Sequence, residues 1–454
     1  NVGKKAKSSL TESVIAAIYL DGNCTKGGGY ENAKWTRPTT AAAPAAVENM
    51  APKDDTAEPS VPQATAQEEV SAPAEPDTVT LVALGDNLIH NTVYWSAERE
   101  DGGYDFTPFY ADIQPTVQRY DIACINQEMI FVKDHAMLSN YLAFGSPTEV
   151  GDALAETGFD VVTCATNHCY DKLDTGILDT CSFWRENYPD VTVLGIHDSE
   201  EDAETLRVVE KNNIKIAMLN YTYGLNYSAP EQKWMVDQFS TFDAVAADLD
   251  AAKAAADLVI VFAHWGEEGQ TEPNQMQTTW AQFLADHGAD LIIGGHPHLV
   301  QPLSAITSED GRSVPVFWSL GNFLSHQDQA RNMLGGMADV TIEKDADGAR
   351  ITHCELKPTV NVILRQGEWY FYRPMLLDDY TDDLAAQHRF ESCTVDAMWS
   401  LFDSITRGKT SLDFTNAIKL IENALKEARQ GAFRVRNCRG FEKMCMPNRR
   451  RRSA

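Results

Sequence analysis

From residue 79 onward, the sequence alternates between short apolar runs and stretches with helical periodicity. The apolar runs predict strands at residues 80–84, 122–125, 161–164, 191–194, 214–219, 258–263, 291–293 and 316–318. Helical spacing of apolar side chains predicts helices at residues 147–157, 174–186, 240–255 and 274–287. Continuous apolar strands that alternate with helices are typical of an α/β protein whose strands are buried on both faces. Residues 340–364 add a predicted strand pair with a turn at residues 345–348.

Composition divides the 454 residues into five segments. We predict a short, fragmentary N-terminal segment (1–39), a disordered Ala/Pro/Glu linker (40–78), the α/β domain (79–375), a C-terminal helical segment (376–433) and a basic tail (434–454). The linker contains 11 Ala, 6 Pro and 8 Asp or Glu, and such a segment buries too little apolar surface to offset its ordering entropy. In the helical segment, amphipathic helices are expected around residues 382–405 and 411–429.

Charge and cysteine content narrow the class of protein. The chain has 66 acidic and 38 basic residues, for a formal net charge of −28, and a surface so acidic repels phosphate backbones. We therefore expect no nucleic-acid partner. No apolar run approaches the roughly 18 residues that cross a bilayer. The nine cysteines include no CxxC pair, which favours buried free thiols over a disulfide framework.

Polar side chains follow five of the predicted strands, where chemistry gathers in α/β sheets. They are, in chain order, Asp86 and His90; Asn126 and Glu128; Asn167, His168 and Asp171; His264, Glu267 and Glu268; and His296 and His298. One such residue alone is usually a turn, cap or structural residue, but five strand ends that all carry such residues indicate a shared site. A histidine repeat at period two also points both imidazoles of His296 and His298 to one face.

These side chains favour metal ions. Carboxylate, amide oxygen and imidazole together suit borderline divalent cations. One carboxylate can bridge two ions about 3.5–4 Å apart, and such a pair generates a nucleophile from water near neutral pH. The sequence therefore predicts two divalent metal ions (Mn, Fe or Zn).

The order of the motifs GD, NxE, NHxxD, HWG, GHPH and SLGNF, from Gly85 to Phe323, resembles the metallophosphatase superfamily. More narrowly, it resembles the bacterial CapA-type proteins of capsule and poly-γ-glutamate synthesis, over about residues 79–343. The resemblance implies a four-layer double β-sandwich flanked by helices rather than a simple doubly wound sheet. It also implies a role for each matching residue: Asp86 and His298 bind the first metal, Asn167, His264 and His296 bind the second, Glu128 bridges both, His168 protonates a leaving group, and Asp171 orients His168.

Some positions depart from the metallophosphatase pattern. Leu88 occupies the place of the histidine in Asp-x-His, and His90 either reaches the metal or lines the cleft. The bridging residue is Glu128 rather than Asp, and Thr166 replaces the usual Gly. Four residues near the site are predicted to bind substrate: Asn126, Trp265, Glu267 and Asn322. For Trp265, a place in the hydrophobic core is an equal alternative.

The resemblance implies a hydrolase that acts on phosphoester or amide bonds in envelope polymer metabolism. Its substrate would be an anionic polymer or a phosphoester, and membrane proteins of capsule synthesis are candidate partners. We expect an extracytoplasmic location tethered to the cell envelope, with no anchor or signal recognisable in these residues. The alternative is a non-catalytic, polymer-binding component of a capsule assembly or export complex.

Overall fold

The computed structural model describes residues 76–367 and 369–414. The strands are β1 (Asp77–Asn87), β2 (Ile122–Gln127), β3 (Phe131–Val132), β4 (Ser146–Pro147), β5 (Val161–Thr163), β6 (Thr192–Leu194), β7 (Val208–Lys211), β8 (Ile214–Thr222), β9 (Leu258–His264), β10 (Leu291–Gly295), β11 (Val300–Thr307), β12 (Ser313–Leu320), β13 (Asn322–Leu324), β14 (Leu334–Asp345), β15 (Gly348–Gln366), β16 (Trp369–Leu376) and β17 (Ser411–Asp413). The helices are α1 (Asn91–Ala97), α2 (Thr107–Tyr110), α3 (Gln114–Val117), α4 (Glu149–Thr157), α5 (Leu173–Asn187), α6 (Glu200–Ala203), α7 (Phe242–Ala255), α8 (Gln275–Asp286), α9 (Asp382–Ala385) and α10 (Val395–Thr406).

The strands form two large mixed sheets and one small two-stranded sheet. The nine-stranded sheet has the order β16-β15-β14-β1-β2-β5-β6, with β13 paired to β1 and β17 paired to β15. The six-stranded sheet has the order β11-β12-β10-β9-β8-β7, and β3 pairs with β4. In each large sheet four neighbouring strands run parallel: β1, β2, β5 and β6 in the first, and β8, β9, β10 and β12 in the second. Their carboxyl ends carry the motifs singled out in the sequence.

The two large sheets face each other across the main hydrophobic core. In β9, Leu258, Ile260 and Phe262 belong to that core, which also contains buried residues of β1, β2 and β5. The alternate residues Val259, Val261 and Ala263 belong to a second core under α7 and α8. Because side chains alternate across a strand, β9 has to be apolar on both faces. This explains why its sequence is a continuous apolar run.

Helices cover the outer faces of both sheets. Helices α1 to α5 contribute buried side chains to the cluster that contains the nine-stranded sheet, and α7 and α8 cover the six-stranded sheet. The predicted four-layer double β-sandwich flanked by helices is therefore confirmed. Six cysteines of the described residues are free and buried, as expected. Within the described part of the chain, no helix has both the length and the apolarity to cross a membrane.

A close backbone crossing joins the two sheets beside the motif residues. After β12 of the six-stranded sheet, the chain turns at Gly321, whose φ is 62°, and continues as β13 beside β1 of the other sheet. A Cβ on Gly85 would lie 2.0 Å from the Gly321 carbonyl oxygen, and one on Gly321 would lie 2.8 Å from the Val300 nitrogen. Glycine is needed at both positions because the two backbones approach too closely for a side chain.

The structure corrects the predicted C-terminal helices. The single helix expected at 382–405 is two helices, α9 and α10, because the chain between them bonds to β15: the Arg389 N–H donates to the Ile363 carbonyl oxygen at 2.8 Å. Thr394 then caps α10 by accepting the Ala397 N–H. Residues Ser411–Asp413, expected to begin the second helix, instead pair with β15 as β17. The remainder of that predicted helix lies outside the described residues.

The boundary between linker and domain is also shifted. Asp77 and Thr78, assigned to the linker, already belong to β1 because they pair with Lys344 and Glu343 of β14. The predictions for residues 1–39, the rest of the linker, 415–433 and the basic tail fall outside the described part of the chain.

His197 generates a testable pH dependence of stability. Its side chain is 5% exposed and lies between Asp202 (Nδ1 to Oδ2, 3.2 Å) and Asp237 (Nε2 to Oδ2, 3.0 Å). Burial lowers the pKa of His197, but the two carboxylates outweigh it and raise the pKa to about 9. Since the imidazole titrates near 6.5 when unfolded, this stabilisation is complete below pH 6.5 and is lost as the pH rises to 9.

We expect wild type to lose about 3 kcal/mol of unfolding free energy over this pH range relative to His197→Gln. Denaturant unfolding of both proteins between pH 6 and pH 9.5 measures the difference. Parallel pH profiles for the two proteins would contradict the assignment.

Candidate metal centre

Six predicted ligands come together where the carboxyl ends of the parallel strands meet. Asp86 is near the end of β1, Glu128 follows β2, and His264 ends β9. Asn167 lies in the loop after β5, and His296 and His298 lie in the loop after β10. All six are buried, with exposures between 0% and 4%. The sequence argument from strand ends therefore identified residues that share one place in the fold.

The ligand atoms form two groups that share one residue. Asp86, Glu128 and His298 make up the first group, and Glu128, His264 and His296 make up the second. Within each group, one potential ligand atom per residue lies within 4.8 Å of the others. The Asn167 amide oxygen joins the second group, 2.8 Å from His264 Nε2. This is the division predicted from the resemblance, with Glu128 in the bridging place.

Glu128 supplies the strongest physical argument for a cation. Its side chain is fully buried, and neither carboxylate oxygen has a hydrogen-bond partner among the described residues. The nearest imidazole nitrogens are His298 Nε2 at 3.6 Å and His264 Nε2 at 3.9 Å. Burial raises the pKa of Glu128 well above its usual range. A buried carboxylate without partners costs several kcal/mol unless a cation compensates it, so this position fits a metal ligand.

The histidines of the two groups differ in their electrostatic surroundings. Burial lowers the pKa of His264 and of His296 well below 6.5, which keeps both imidazoles neutral and able to ligate. His296 Nδ1 is buried without a partner among the described residues. For His298, burial also lowers the pKa, but the carboxylates of Glu128 and Asp86 outweigh it and raise the pKa to about 10. A bound cation would replace that proton between the same carboxylates.

The backbone places His296 and His298 by a turn rather than by strand alternation. Strand β10 ends at Gly295, and both histidines have positive φ, 95° for His296 and 56° for His298. The argument from period two was therefore wrong, because neither residue lies in a strand. Non-glycine residues at positive φ cost about 1–3 kcal/mol each and persist where surrounding contacts fix them. Asn332 supplies one such contact, since its Nδ2 donates to the His298 carbonyl oxygen at 3.1 Å.

Gly295 leaves room for the polar groups beneath the site. A Cβ at this position would lie 2.7 Å from Asp86 Oδ1 and 3.1 Å from Asn126 Nδ2. Asn126 Nδ2 donates to Asp86 Oδ1 at 2.7 Å, and its Oδ1 accepts from the Thr163 hydroxyl at 3.1 Å. Asn126, predicted to bind substrate, thus holds the carboxylate of a predicted ligand, and its substrate role stays a prediction.

His168 and Asp171 form the predicted dyad. The His168 Nδ1–H donates to Asp171 Oδ2 at 2.6 Å, and the Phe144 backbone N–H donates to the same oxygen at 2.7 Å. The Phe144 ring packs edge-on against His168, with centroids 4.8 Å apart. With Nδ1 committed to the carboxylate, the Nε2 edge of His168 is the one available for proton exchange.

Sequence reasoning missed Asn226, which supports both halves of the NHxxD motif. Its Oδ1 accepts from Asn167 Nδ2 at 3.1 Å, and its Nδ2 lies 3.1 Å from His168 Nδ1 and 3.4 Å from Nε2. Its backbone N–H also donates to the Asn167 carbonyl oxygen at 3.1 Å. The sequence signal that could have found Asn226 was its position shortly after β8, a strand that runs parallel to β9 and ends at the same edge of the sheet.

Two predicted substrate-binding residues are fully buried. Trp265 is fully buried in the second core, where its Nε1–H donates to the Trp318 carbonyl oxygen at 3.0 Å. Trp265 therefore fills the core, and its predicted substrate contact was wrong. Asn322 is also fully buried, and its Nδ2 donates to Gln327 Oε1 and to the Asn332 carbonyl oxygen. It supports the residue that holds His298, and its predicted substrate contact stays a prediction.

The acidic residues after β9 are exposed. Glu267 and Glu268 occupy one loop, and the charge of Glu268 raises the pKa of both Glu128 and His298. Glu268 is thus the carboxylate that acts on the ligand groups, whereas substrate binding by Glu267 stays a prediction.

Comparison with known proteins identifies the family. Residues 80–327, more than half of the chain, match the family described as "Bacterial capsule synthesis protein PGA_cap". A Bacillus anthracis protein named "Capsule biosynthesis protein CapA" is 26% identical over 266 residues, 57% of this chain and 62% of its own length. The "PGA biosynthesis protein CapA" of Bacillus subtilis (strain 168) is 27% identical over 249 residues, 52% and 61%. The chain spans about three-fifths of the length of these relatives.

Solved structures give weaker similarities. A Staphylococcus aureus protein described as a 5'-nucleotidase is 16% identical, with a TM-score of 0.39 and coverage of 72% of this chain and 58% of its own. A hypothetical protein from Thermus thermophilus is also 16% identical, with a TM-score of 0.36 and coverage of 62% and 98%. Because both TM-scores are below 0.5, neither likeness carries an argument. On the family match, the chain belongs to the bacterial capsule synthesis protein family PGA_cap.

Proposed function

We propose that this protein is a dinuclear metal-dependent hydrolase that acts on phosphoester or amide bonds in capsule polymer metabolism. The observation that carries the proposal is the buried carboxylate of Glu128, which lies between two ligand groups and has no hydrogen-bond partner among the described residues. Membership of a capsule synthesis family supports the biological setting. An extracytoplasmic location at the envelope is part of the same proposal.

The residues fit two divalent ions. Asp86 and His298 would hold one, His264, His296 and Asn167 would hold the other, and Glu128 would bridge them. Mixed oxygen and imidazole ligands suit Mn, Fe or Zn. When bound, such ions polarise a substrate oxygen and lower the pKa of water to near neutrality. The positive charge would also offset the acidic surroundings that otherwise repel an anionic substrate.

The protein's own contribution to bond cleavage would come from His168. Its Nε2 would donate a proton to the leaving oxygen or nitrogen, while Asp171 holds Nδ1 and fixes the orientation of the ring. Asn226 and Phe144 restrict the same ring from two other sides. A ring positioned this way loses little freedom when the substrate binds, which favours the reaction.

The substrate class follows from chemistry that the site can accommodate. A phosphoester and a γ-glutamyl amide both place an anionic or polarisable oxygen next to a leaving group that needs a proton. One relative carries PGA biosynthesis in its name, which supports testing glutamyl polymers first. Membrane proteins of capsule synthesis are the proposed partners.

Removal of the carboxylate shared by both ligand groups is expected to lower the metal content. In Glu128→Ala both ligand groups lose a member, so about two ions per chain in wild type should fall to below one. Elemental mass spectrometry of purified, metal-reconstituted protein measures this. The matched control is Glu309→Ala, which removes an exposed carboxylate of the β11–β12 turn and should keep the wild-type metal content.

Wild-type protein that binds no metal after reconstitution would contradict the hydrolase proposal. The non-catalytic alternative would then be favoured, in which the cleft holds polymer without turnover. That alternative predicts polymer binding that survives the Glu128→Ala change.

Removal of the proposed acid is expected to lower kcat without loss of metal. In His168→Ala, general acid catalysis disappears and kcat should fall by about 10²–10⁴-fold. Turnover of alkyl phosphoesters and γ-glutamyl alkylamides, whose leaving groups need a proton, measures the effect with Mn, Fe and Zn. His287→Ala, at the end of α8, makes the same change in the outer helical layer and should keep wild-type kcat. Equal turnover in the His168 and His287 variants would remove the acid role.

A further inference from the structure

His90 is the histidine whose role the sequence left open between metal ligand and cleft lining. It lies just beyond the end of β1, half-buried, and its ring packs edge-on against Phe144 with centroids 5.3 Å apart. Phe144 packs in the same way against His168. His90 is therefore separated from the proposed acid by one aromatic ring. It does not belong to either group of clustered ligand atoms within the described residues.

A backbone contact settles which ring nitrogen of His90 carries the proton. The His326 backbone N–H donates to His90 Nδ1 at 3.1 Å. A backbone N–H can only donate, so Nδ1 has to offer its lone pair. The Leu88 carbonyl oxygen also lies 3.2 Å from Nδ1, but it has a partner in the His90 backbone N–H at 3.2 Å, whereas a proton on Nδ1 would point directly at the His326 N–H. The proton of the neutral ring is then on Nε2.

Residues beyond the family-matched region fix the position of His326, and so stabilise its contact with His90. The His326 ring lies between Tyr372, whose hydroxyl is 2.5 Å from Nδ1, and Arg389, whose Nη1 donates to Nε2 at 2.6 Å. Arg389 is also paired with Asp328 at 3.0 Å. Because both ring nitrogens of His326 are engaged, its backbone N–H is fixed in direction toward His90.

Electrostatics keep His90 neutral. Burial lowers its pKa to about 4 and outweighs the Leu88 carbonyl oxygen, which raises the pKa by accepting from the charged ring; the charges of His298 and His168 lower the pKa and that of Asp328 raises it. A neutral ring with Nδ1 occupied has no free lone pair for a metal ion. Leu88, at the position of the missing motif histidine, is buried among core residues and offers no ligand either.

We infer that His90 is not a metal ligand but a fixed neutral hydrogen-bond donor, whose Nε2–H binds an anionic oxygen of the substrate beside His168. The inference rests on the proposed function and assigns a substrate-binding residue to it. A neutral donor suits this position because a charged imidazole would be repelled by metal ions held at the neighbouring ligand groups, whereas a neutral N–H dipole still stabilises negative charge. Phosphate and carboxylate oxygens are the chemical class that such a donor recognises.

Nuclear magnetic resonance tests the tautomer without any turnover. In zinc-loaded protein labelled with ¹⁵N-histidine, long-range ¹H–¹⁵N correlations report the protonation of each ring nitrogen, and His90→Gln assigns the His90 signals. We expect Nδ1 without a proton and Nε2 with one, both before and after zinc is added. A proton on Nδ1, or loss of the Nε2 proton on zinc binding, would overturn the inference.

Inorganic phosphate tests the donor. Isothermal titration calorimetry with zinc-loaded protein should show phosphate binding weakened about tenfold or more in His90→Phe, the loss expected for a hydrogen bond to a charged group. His90→Gln, whose side-chain amide can place an N–H near the position of Nε2, should bind within a few-fold of wild type. Both variants should keep wild-type zinc content, measured by elemental mass spectrometry.

The outcomes separate this inference from the proposed function. Three outcomes would overturn the donor role. They are zinc loss in both His90 variants, equal phosphate affinity in His90→Phe and wild type, and no phosphate binding by wild type. The expected phosphate and tautomer results together with no hydrolysis of any tested ester or amide would support the donor and count against the hydrolase.

Discussion

A carboxylate buried without a hydrogen-bond partner is the constraint on which the rest of this site depends. Glu128 follows the carboxyl end of β2 and is fully buried, and its carboxylate lies 3.6 Å from His298 Nε2 and 3.9 Å from His264 Nε2, two imidazoles of the opposite sheet. Its negative charge needs a compensating positive charge, either a proton shared with His298 or a cation. The surrounding residues fit this need for charge compensation. His264 and His296 are neutral on one side of Glu128, and His298 lies between two carboxylates on the other.

The double β-sandwich brings these charged and neutral side chains together. A single parallel sheet brings together only the carboxyl ends of its own strands. Here two sheets face each other, and both contribute ligands to the same site. Asp86 and Glu128 come from one sheet, and His264, His296 and His298 come from the other. The crossing of Gly85 and Gly321 brings the two edges closer together than any larger residue would allow. The ligand geometry is therefore a property of sheet packing rather than of any one loop.

The parts of this arrangement that depend on local pattern were predictable from sequence. Continuous apolar strands predicted β1, β2, β5, β9 and β10, and the polar residues that follow them predicted a shared site, because both signals lie within a few residues of each other. The choice of six ligands within that site came from the family resemblance. Long-range contacts were not predictable. Trp265 follows His264 directly, yet it packs into the second core and bonds to Trp318. The stretch between α9 and α10 looks helical, yet it bonds to β15, and Asn226 becomes recognisable only once β8 lies beside β9.

The position of β14 has a consequence for synthesis on the ribosome. In the finished sheet β14 lies between β1 and β15 and pairs with β1 from Asp77 to Leu84, yet it lies beyond the family-matched region and about 250 residues after its partner. At about 5–20 residues per second, one edge of β1 waits roughly 10 to 50 s for that neighbour to emerge. Throughout this interval a nascent strand with a strongly apolar sequence presents open backbone donors and acceptors. The strand that carries Asp86 is thus synthesised well before β14, and the order of the strands in the chain, together with the rate of synthesis, sets how long this edge stays unpaired.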